Sequence, residues 1–166
     1  DGPLYVFPTT LFFASGFASV ALGVARAGLD AAIELARTKK ATAEKILLCE
    51  KPITQQQVGK AESVWRSAKA YMRESAKNAW ESAKKTRALT LEERTHLRLS
   101  SSNAIRMAAE VVDIAYNICG SHAIFESNPI QRRFQDAHAI TQQIQGRMSH
   151  YETTGQFFLG LDPKGI

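Results

Sequence analysis

Val58, Ala61, Trp65, Ala68, Met72, Ser75, Ala79 and Ala83 recur at steps of three and four without a break. Such a near-heptad seam keeps one side of a helix turned toward a neighbour for about seven turns. Most of its members are alanine or serine, so the neighbouring backbone can come close. A helix this long draws its stability from packing, which commits the chain to helix-on-helix architecture. No stretch alternates apolar and polar residues for long enough to predict a strand.

The other helices follow from the same periodicity. The first is expected over residues 10–39, capped by Thr9 or Thr10 after an extended lead-in, residues 1–8, fixed by Pro3 and Pro8. Phe13, Phe17, Val20, Val24 and Ala27 give it an apolar face, and Gly16, Ser19, Gly23 and Ala27 form a stripe of small residues. Residues 41–52 connect it to a second helix over residues 53–87, with Pro52 in the opening turn. Thr90 and Glu93 have capping-box spacing ahead of a third helix, whose seam is Leu97, Ser101, Ala104, Ala108, Val112, Ala115 and Cys119. Gly120 stops that helix. A fourth is expected over residues 129–145 and a short fifth over residues 149–159. The pattern predicts an all-α fold, an up-and-down four-helix bundle with a short extra C-terminal helix.

At 166 residues the chain can bury one core, and its opening at Asp1 suggests a missing N-terminal portion. The uncharged run 2–25 is long enough to cross a membrane. Pro8 and two threonines interrupt it, and the helical pattern continues through Arg26. A buried bundle or subunit-interface helix is therefore expected, with no membrane partner. The net charge of +5 is spread with mixed sign. On the second helix Arg66, Arg73, Lys77 and Lys84 intersperse with Glu62, Glu74 and Glu81, which reads as a solvated face. Trp65, Tyr71 and Trp80 fall mostly on the seam side rather than among the basic residues, so no nucleic acid is expected. Cys49 and Cys119, far apart and without a CxxC pair, read as two buried thiols of a reducing, cytoplasmic compartment. A di-iron bundle needs two Glu-x-x-His pairs and two further carboxylates. Only Glu93 and His96 have that spacing, so no metal is expected.

The densest polar stretch with helical order on both sides runs from Cys119 to Gly146. Residues 121–128 read as a loop, Asn128 as a cap and Pro129 as the opening turn of the fourth helix. Ile130, Phe134, Ala137 and Thr141 share one face at steps of four, three and four. His138 lies beside that face and Gln142 one turn further. Such a helix next to a Phe-bearing loop either lines a pocket or simply closes the bundle, and periodicity leaves both open.

These residues also carry a resemblance. Ser121, His122, Ile124 and Phe125 come first, followed by Asn128, Pro129, Ile130, Gln131, Arg132, Arg133, Phe134, Gln135 and Asp136, then His138, Ala139, Thr141 and Gln142. The set resembles the C-terminal helical domain of the acyl-CoA dehydrogenase superfamily. Within it, the nearest branch is the flavin-dependent hydroxylase component of two-component monooxygenases. The run from Ala25 to Asp30, Lys51 to Ile53 with Gln57, and His150, Tyr151, Glu152, Gly155 and Leu159 match that branch in order, so the resemblance covers nearly the whole chain.

The resemblance implies that residues 1–166 are the C-terminal bundle of a larger protein with N-terminal helical and middle β domains. It implies a homotetramer, reduced FMN or FAD as cofactor, a partner flavin reductase, and a small aromatic or heteroaromatic substrate. By the same token Gly120 and Ser121 fall at the cofactor's phosphates, Gln57 at a neighbouring subunit's cofactor, and Thr141 at the flavin. Ile124, Phe125, Asn128 and Gln142 fall at the substrate.

One large class of acyl-CoA dehydrogenases carries a glutamate base where this chain has Ile144. An aliphatic side chain cannot take a proton, which favours hydroxylation with reduced flavin and O2, the flavin doing the hard chemistry. Hydroxylase relatives often have His after the Thr-Gln pair, whereas this chain has Gln143, which hydrogen-bonds but does not titrate. Either His138 or a histidine in the missing N-terminal portion is then the candidate to share that catalytic role. His138 lies about 140° from Gln143 around a helix of about 3.6 residues per turn, so a structural histidine is the competing reading. An acyl-CoA dehydrogenase-like FAD oxidoreductase with its base elsewhere and a non-catalytic oligomerisation module also stay open.

Overall fold

A computed structural model describes residues 2–41 and 44–166. Helix α1 spans Thr9–Thr38, α2 Pro52–Thr86, α3 Leu91–Cys119, α4 Pro129–Gln142 and α5 Ser149–Phe158. The described residues contain no strand, and one isolated antiparallel bridge pairs Lys40 with Leu47. Of the connection 41–52, residues 42 and 43 lie outside the described residues, as does Asp1. The expected all-α architecture holds.

Three local expectations change. The lead-in is not extended but winds into a 3-10 turn, Pro3–Val6. Thr9 and Thr10 are already helical and neither caps α1; the Pro8 carbonyl accepts from the Leu11 and Phe12 N–H groups instead. Helix α4 ends at Gln142 rather than 145, because Gln143 turns to extended geometry and a separate 3-10 turn, Ile144–Gly146, follows. Other termini form as read. Thr90 Oγ1 accepts from the Glu93 N–H at 3.2 Å while Glu93 Oε2 accepts from the Thr90 N–H at 2.8 Å. The Asn128 side chain accepts from the Ile130 N–H at 3.0 Å. Gly120 takes φ of +55°, a conformation that L side chains resist, and thereby ends α3.

Helix α3 packs on all four of the other helices, most extensively on α1, while α2 and α4 each touch both α1 and α3. The bundle is thus flattened, with α1 and α3 across its short diagonal. The expected seam of α3 is buried throughout, from Leu97 to Cys119. In α1 the expected face is only partly inward: Phe17 and Val24 pack against the core, but the fully buried face lies beside them. The buried residues are Leu11, Ala14, Ala18, Ala21, Leu22, Ala25, Gly28, Leu29, Ala32 and Ala36. Phe13 and Val20 are exposed, as is the whole stripe of Gly16, Ser19, Gly23 and Ala27. Both faces of α1 are apolar, so periodicity cannot rank them; the alanine face wins because it lets α3 approach closely. Gly28, on the buried side, marks the α1–α4 crossing, where an added Cβ would meet Ile130 Cδ1 at 3.2 Å.

Helix α1 is long and apolar enough to cross a membrane by length and composition, yet its alanine face forms part of the main core. Trp65 packs against that core as expected, but Trp80 is exposed and leans on the Phe7 ring. Cys49 is only partly buried, correcting the expectation of two buried thiols. Cys119 is buried, and loss of solvent pushes its thiol pKa up to about 11.

Candidate functional site

Four-residue steps along α3 bring Arg98, Ser102 and Arg106 into one polar stripe facing the turn after α4. Arg98 Nη1 donates to Gln145 Oε1 at 2.5 Å, and Ser102 Oγ donates to the Gln145 carbonyl at 3.4 Å. Arg106 donates to the Gly146 carbonyl and, at 3.5 Å, to the Thr141 carbonyl. Arg98 is only 3% exposed, and burial lowers its pKa. No carboxylate pairs with either guanidinium among the described residues. The turn itself leaves no room for a side chain at Gly146, where an added Cβ would sit 3.0 Å from the Thr141 carbonyl oxygen.

This stapled turn displays a small mixed surface. Ile144 is 51% exposed and Met148 61%. Gln143 uses its Oε1 to accept from the Gln145 N–H at 2.7 Å, capping the turn. Gln142 is exposed and its Nε2 donates to Thr141 Oγ1 at 3.1 Å. Thr141 is buried and donates its own hydroxyl to the His138 carbonyl at 2.7 Å. From the first turn of α5, His150 Nε2 reaches the Ile144 carbonyl at 2.8 Å. A carbonyl only accepts, so Nε2 carries the hydrogen. Burial lowers the His150 pKa and the charges of Arg98 and Arg147 lower it further, outweighing that hydrogen bond.

The second group lies at the opposite end of α4. Residues 120–124 form a 3-10 turn, Gly120–Ile124, pinned by the buried Ala123. Its solvent side exposes Ser121, Ile124 and Phe125. Phe125 and Asn128 join His122, Ser127 and Pro129 in a cleft of about 390 Å³ against Ala31, Glu34, Leu35 and Lys39 of α1. Helix α4 has 14 residues, which separates its two ends by about 20 Å. The predicted residues therefore form two clusters, not one. Gln57, half-buried in the first turns of α2, lines neither.

His138 sits between the clusters in a packed ladder. Its Nε2 lies 2.8 Å from Asp113 Oδ1 on α3. Its ring lies 4.5 Å from that of Phe134, which lies 4.5 Å from that of Tyr116. A histidine so tied binds α4 to α3. Arg98, Ser102, Arg106, Gln145 and His150 were not anticipated. The available signal on α3 was Arg98, Ser102 and Arg106 at four-residue spacing, one polar stripe among several on that helix. Glu93 and His96 are both engaged elsewhere, Glu93 in the cap and His96 Nδ1 with the Tyr71 hydroxyl at 3.0 Å.

Residues 15–146 match the C-terminal domain of acyl-CoA dehydrogenase. The chain belongs to that family. Among relatives of this acyl-CoA dehydrogenase-type domain is the indole-3-acetate monooxygenase of Pseudomonas putida, 33% identical over 163 residues, covering 98% of this chain and 42% of the relative. The pigment production hydroxylase of Rhodococcus erythropolis is 26% identical over 165 residues, covering 98% of this chain and 41% of the relative. XiaF from Streptomyces sp., solved in complex with FADH2 and glycerol, superposes with a TM-score of 0.92 at 23% identity, covering 100% of this chain and 42% of that one. The HsaA monooxygenase from M. tuberculosis gives 0.85 at 20% identity, covering 99% and 43%. At those identities the structures establish the fold. The acyl-CoA dehydrogenase-type domain described here spans less than half the length of each of these proteins.

Proposed function

We propose that this domain is the C-terminal bundle of a flavin-dependent monooxygenase that hydroxylates a small aromatic or heteroaromatic substrate with reduced flavin and O2. The observation that carries the reading is the identity of 33% to an indole-3-acetate monooxygenase over 98% of this chain. Ile144 supports it from the other side, since nothing at that position can remove a proton from an acyl thioester.

The surface chemistry fits a flavin. A tricyclic ring wants apolar contact on its faces and amide partners at its edge, and Ile144 and Met148 lie beside Gln142 and Gln143 at one end of α4. A phosphate wants N–H and hydroxyl donors, and Gly120 and the exposed Ser121 lie at the other end. In this reading Gly120, Ser121, Thr141 and, across a subunit boundary, Gln57 hold reduced FMN or FAD. Gln143 orients its polar edge and Gln142 contacts the substrate beside it; Ile124, Phe125 and Asn128, about 20 Å away at the other end of α4, are too far to touch the same small molecule. His138 acts as a positioning residue through α4 rather than as a base. When bound, the flavin supplies the redox chemistry that activates oxygen; the chain's own residues bind, orient and exclude water.

A partner reductase delivers the reduced flavin, and the rest of the protein adds N-terminal helical and middle β domains. Four copies assemble, with the exposed apolar residues of α1, Phe12, Phe13 and Val20, covered in the tetramer. The two free thiols suit the cytoplasm. The test is oxygen uptake by the full-length protein with a flavin reductase, NADH and a panel of indole, indole-3-acetate and phenol. Substrate-dependent uptake with a hydroxylated product is expected. Anaerobic bleaching of bound flavin by an acyl-CoA, without aromatic-dependent uptake, would overturn the reading.

A further inference from the structure

We propose that His150 is the proton acceptor of this site, serving an aromatic substrate whose ring N–H or O–H loses its proton as oxygen is added to the ring. The inference rests on the monooxygenase reading above and names a residue and a substrate class for it.

Other groups at this end of α4 cannot perform the step. Gln142, Gln143 and Gln145 are amides, Ile144 and Met148 are apolar, and Arg98, Arg106 and Arg147 stay charged. Tyr151 keeps its proton because burial raises its pKa. Glu152 lies about 200° around α5 from His150, on the other side of that helix. His138, one turn before Gln142, has its Nε2 held by Asp113 at 2.8 Å, which leaves His150 as the imidazole at this end for the exchange.

Its geometry suits an acceptor. The Ile144 carbonyl claims Nε2–H at 2.8 Å, which fixes the tautomer and leaves the lone pair on Nδ1. Nδ1 has no hydrogen-bond partner among the described residues. The charged groups acting on the ring are Arg98 from α3 and Arg147 from the segment before α5, both cations. They disfavour imidazolium, so the resting ring is neutral and ready to accept. The same two charges favour an anionic or electron-rich substrate beside it.

The step balances simply. The substrate's N–H or O–H bond breaks, its electron pair stays on the aromatic system, and an H–Nδ1 bond forms. The resulting imidazolium, crowded by Arg98 and Arg147, returns the proton to water and restores the neutral ring.

The test uses the full-length protein, wild type and His150→Gln. Glutamine keeps an N–H for the Ile144 carbonyl but cannot take a proton. With the panel member that wild type hydroxylates, His150→Gln should lower turnover about 100- to 10,000-fold, the usual range for a lost general base. It should also lose the acid limb of the pH profile, with flavin affinity unchanged. On the N- or O-methylated analogue, which has no proton to give, wild type should fall to the variant's rate and the variant should fall no further. Without flavin, diethyl pyrocarbonate should modify one histidine faster in wild type than in His150→Gln, titrating below the ordinary imidazole range. Should His150→Gln fold poorly, His150→Ala with added imidazole replaces it, and recovery of rate is expected. An unchanged pH profile in an active His150→Gln enzyme, or no imidazole rescue, overturns this inference and leaves the monooxygenase reading standing. Failure of wild type to consume oxygen with any of the panel overturns both.

Discussion

The indole N–H of Trp65 donates across 2.9 Å to the main-chain carbonyl of Leu22, tying the middle of α2 to the middle of α1. The same ring lies under two cations, with the Arg26 guanidinium 5.2 Å and Lys69 Nζ 4.4 Å from its centroid. Arg26 in turn pairs with Glu62 at 2.7 Å and Asp30 at 2.6 Å. Trp65→Phe removes the donor while keeping an aromatic ring, though a smaller one, in the seam. It should cost about 1 kcal/mol, the net worth of an ordinary hydrogen bond. Trp65→Ala should cost about 3–5 kcal/mol by also opening a cavity. Urea denaturation of the two variants separates the terms.

Arg98 and Gln145 should behave asymmetrically. Gln145→Leu leaves a buried guanidinium without its acceptor, a loss of about 2–3 kcal/mol for a hydrogen bond to a charged group. Arg98→Met removes the charge and should cost less than that. The double variant should be more stable than Gln145→Leu alone, since no buried charge remains unsatisfied. A double-mutant cycle in denaturant measures the coupling directly.

Gly28 and Gly146 are both crowded, with opposite expected outcomes. At Gly28 the nearest atom to an added Cβ is Ile130 Cδ1 at 3.2 Å, the movable end of a side chain. Gly28→Ala should therefore stay within about 1 kcal/mol of wild type, helped by the better helix propensity of alanine. At Gly146 the neighbours include the Thr141 and Ile140 carbonyl oxygens at 3.0 and 3.1 Å, which belong to the backbone. Gly146→Ala should cost about 1–3 kcal/mol as overpacking. It should also weaken flavin binding by shifting the turn, a change that flavin fluorescence titration detects.

The depressed pKa of His150 sets a pH window for stability. As pH falls below about 6.5, the unfolded chain takes up a proton at this residue while the folded chain resists it. Folding stability should decline from there down to the folded-state pKa, and above that window the residue contributes no pH dependence. Urea midpoints measured from pH 7.5 to 5 should fall less steeply in His150→Gln than in wild type.

Much of this architecture is legible in the sequence because local rules and packing agree. The Thr90–Glu93 box, the Asn128 cap, the Gly120 stop and the seam of α3 each form as periodicity and end chemistry dictate. Agreement ends where two solutions are locally equal. Helix α1 has an alanine face and a phenylalanine-valine face, and only the approach of α3 selects the first. Gln143 to Gly146 continue a helical pattern, but Arg98, Ser102 and Arg106 capture their carbonyl and amide groups from another helix, and α4 stops short. The candidate site is scattered for the same reason. Residues 120–128 and 141–143 are neighbours in the chain's polar stretch, yet a straight helix holds them apart, and His150 joins the second group only through a tertiary hydrogen bond.

That separation makes α4 a ruler. Deleting or inserting one residue within it would change the span between Ser121 and Gln143 by only about 1.5 Å, but would turn one end about 100° against the other. Its register is also locked one turn before its C-terminal end by the contact of His138 with Asp113. Whatever molecule bridges the two ends must match both a fixed length and a fixed angle, so a one-residue insertion, which turns one end, and a whole-turn insertion, which adds about 5.4 Å, should both be poorly tolerated.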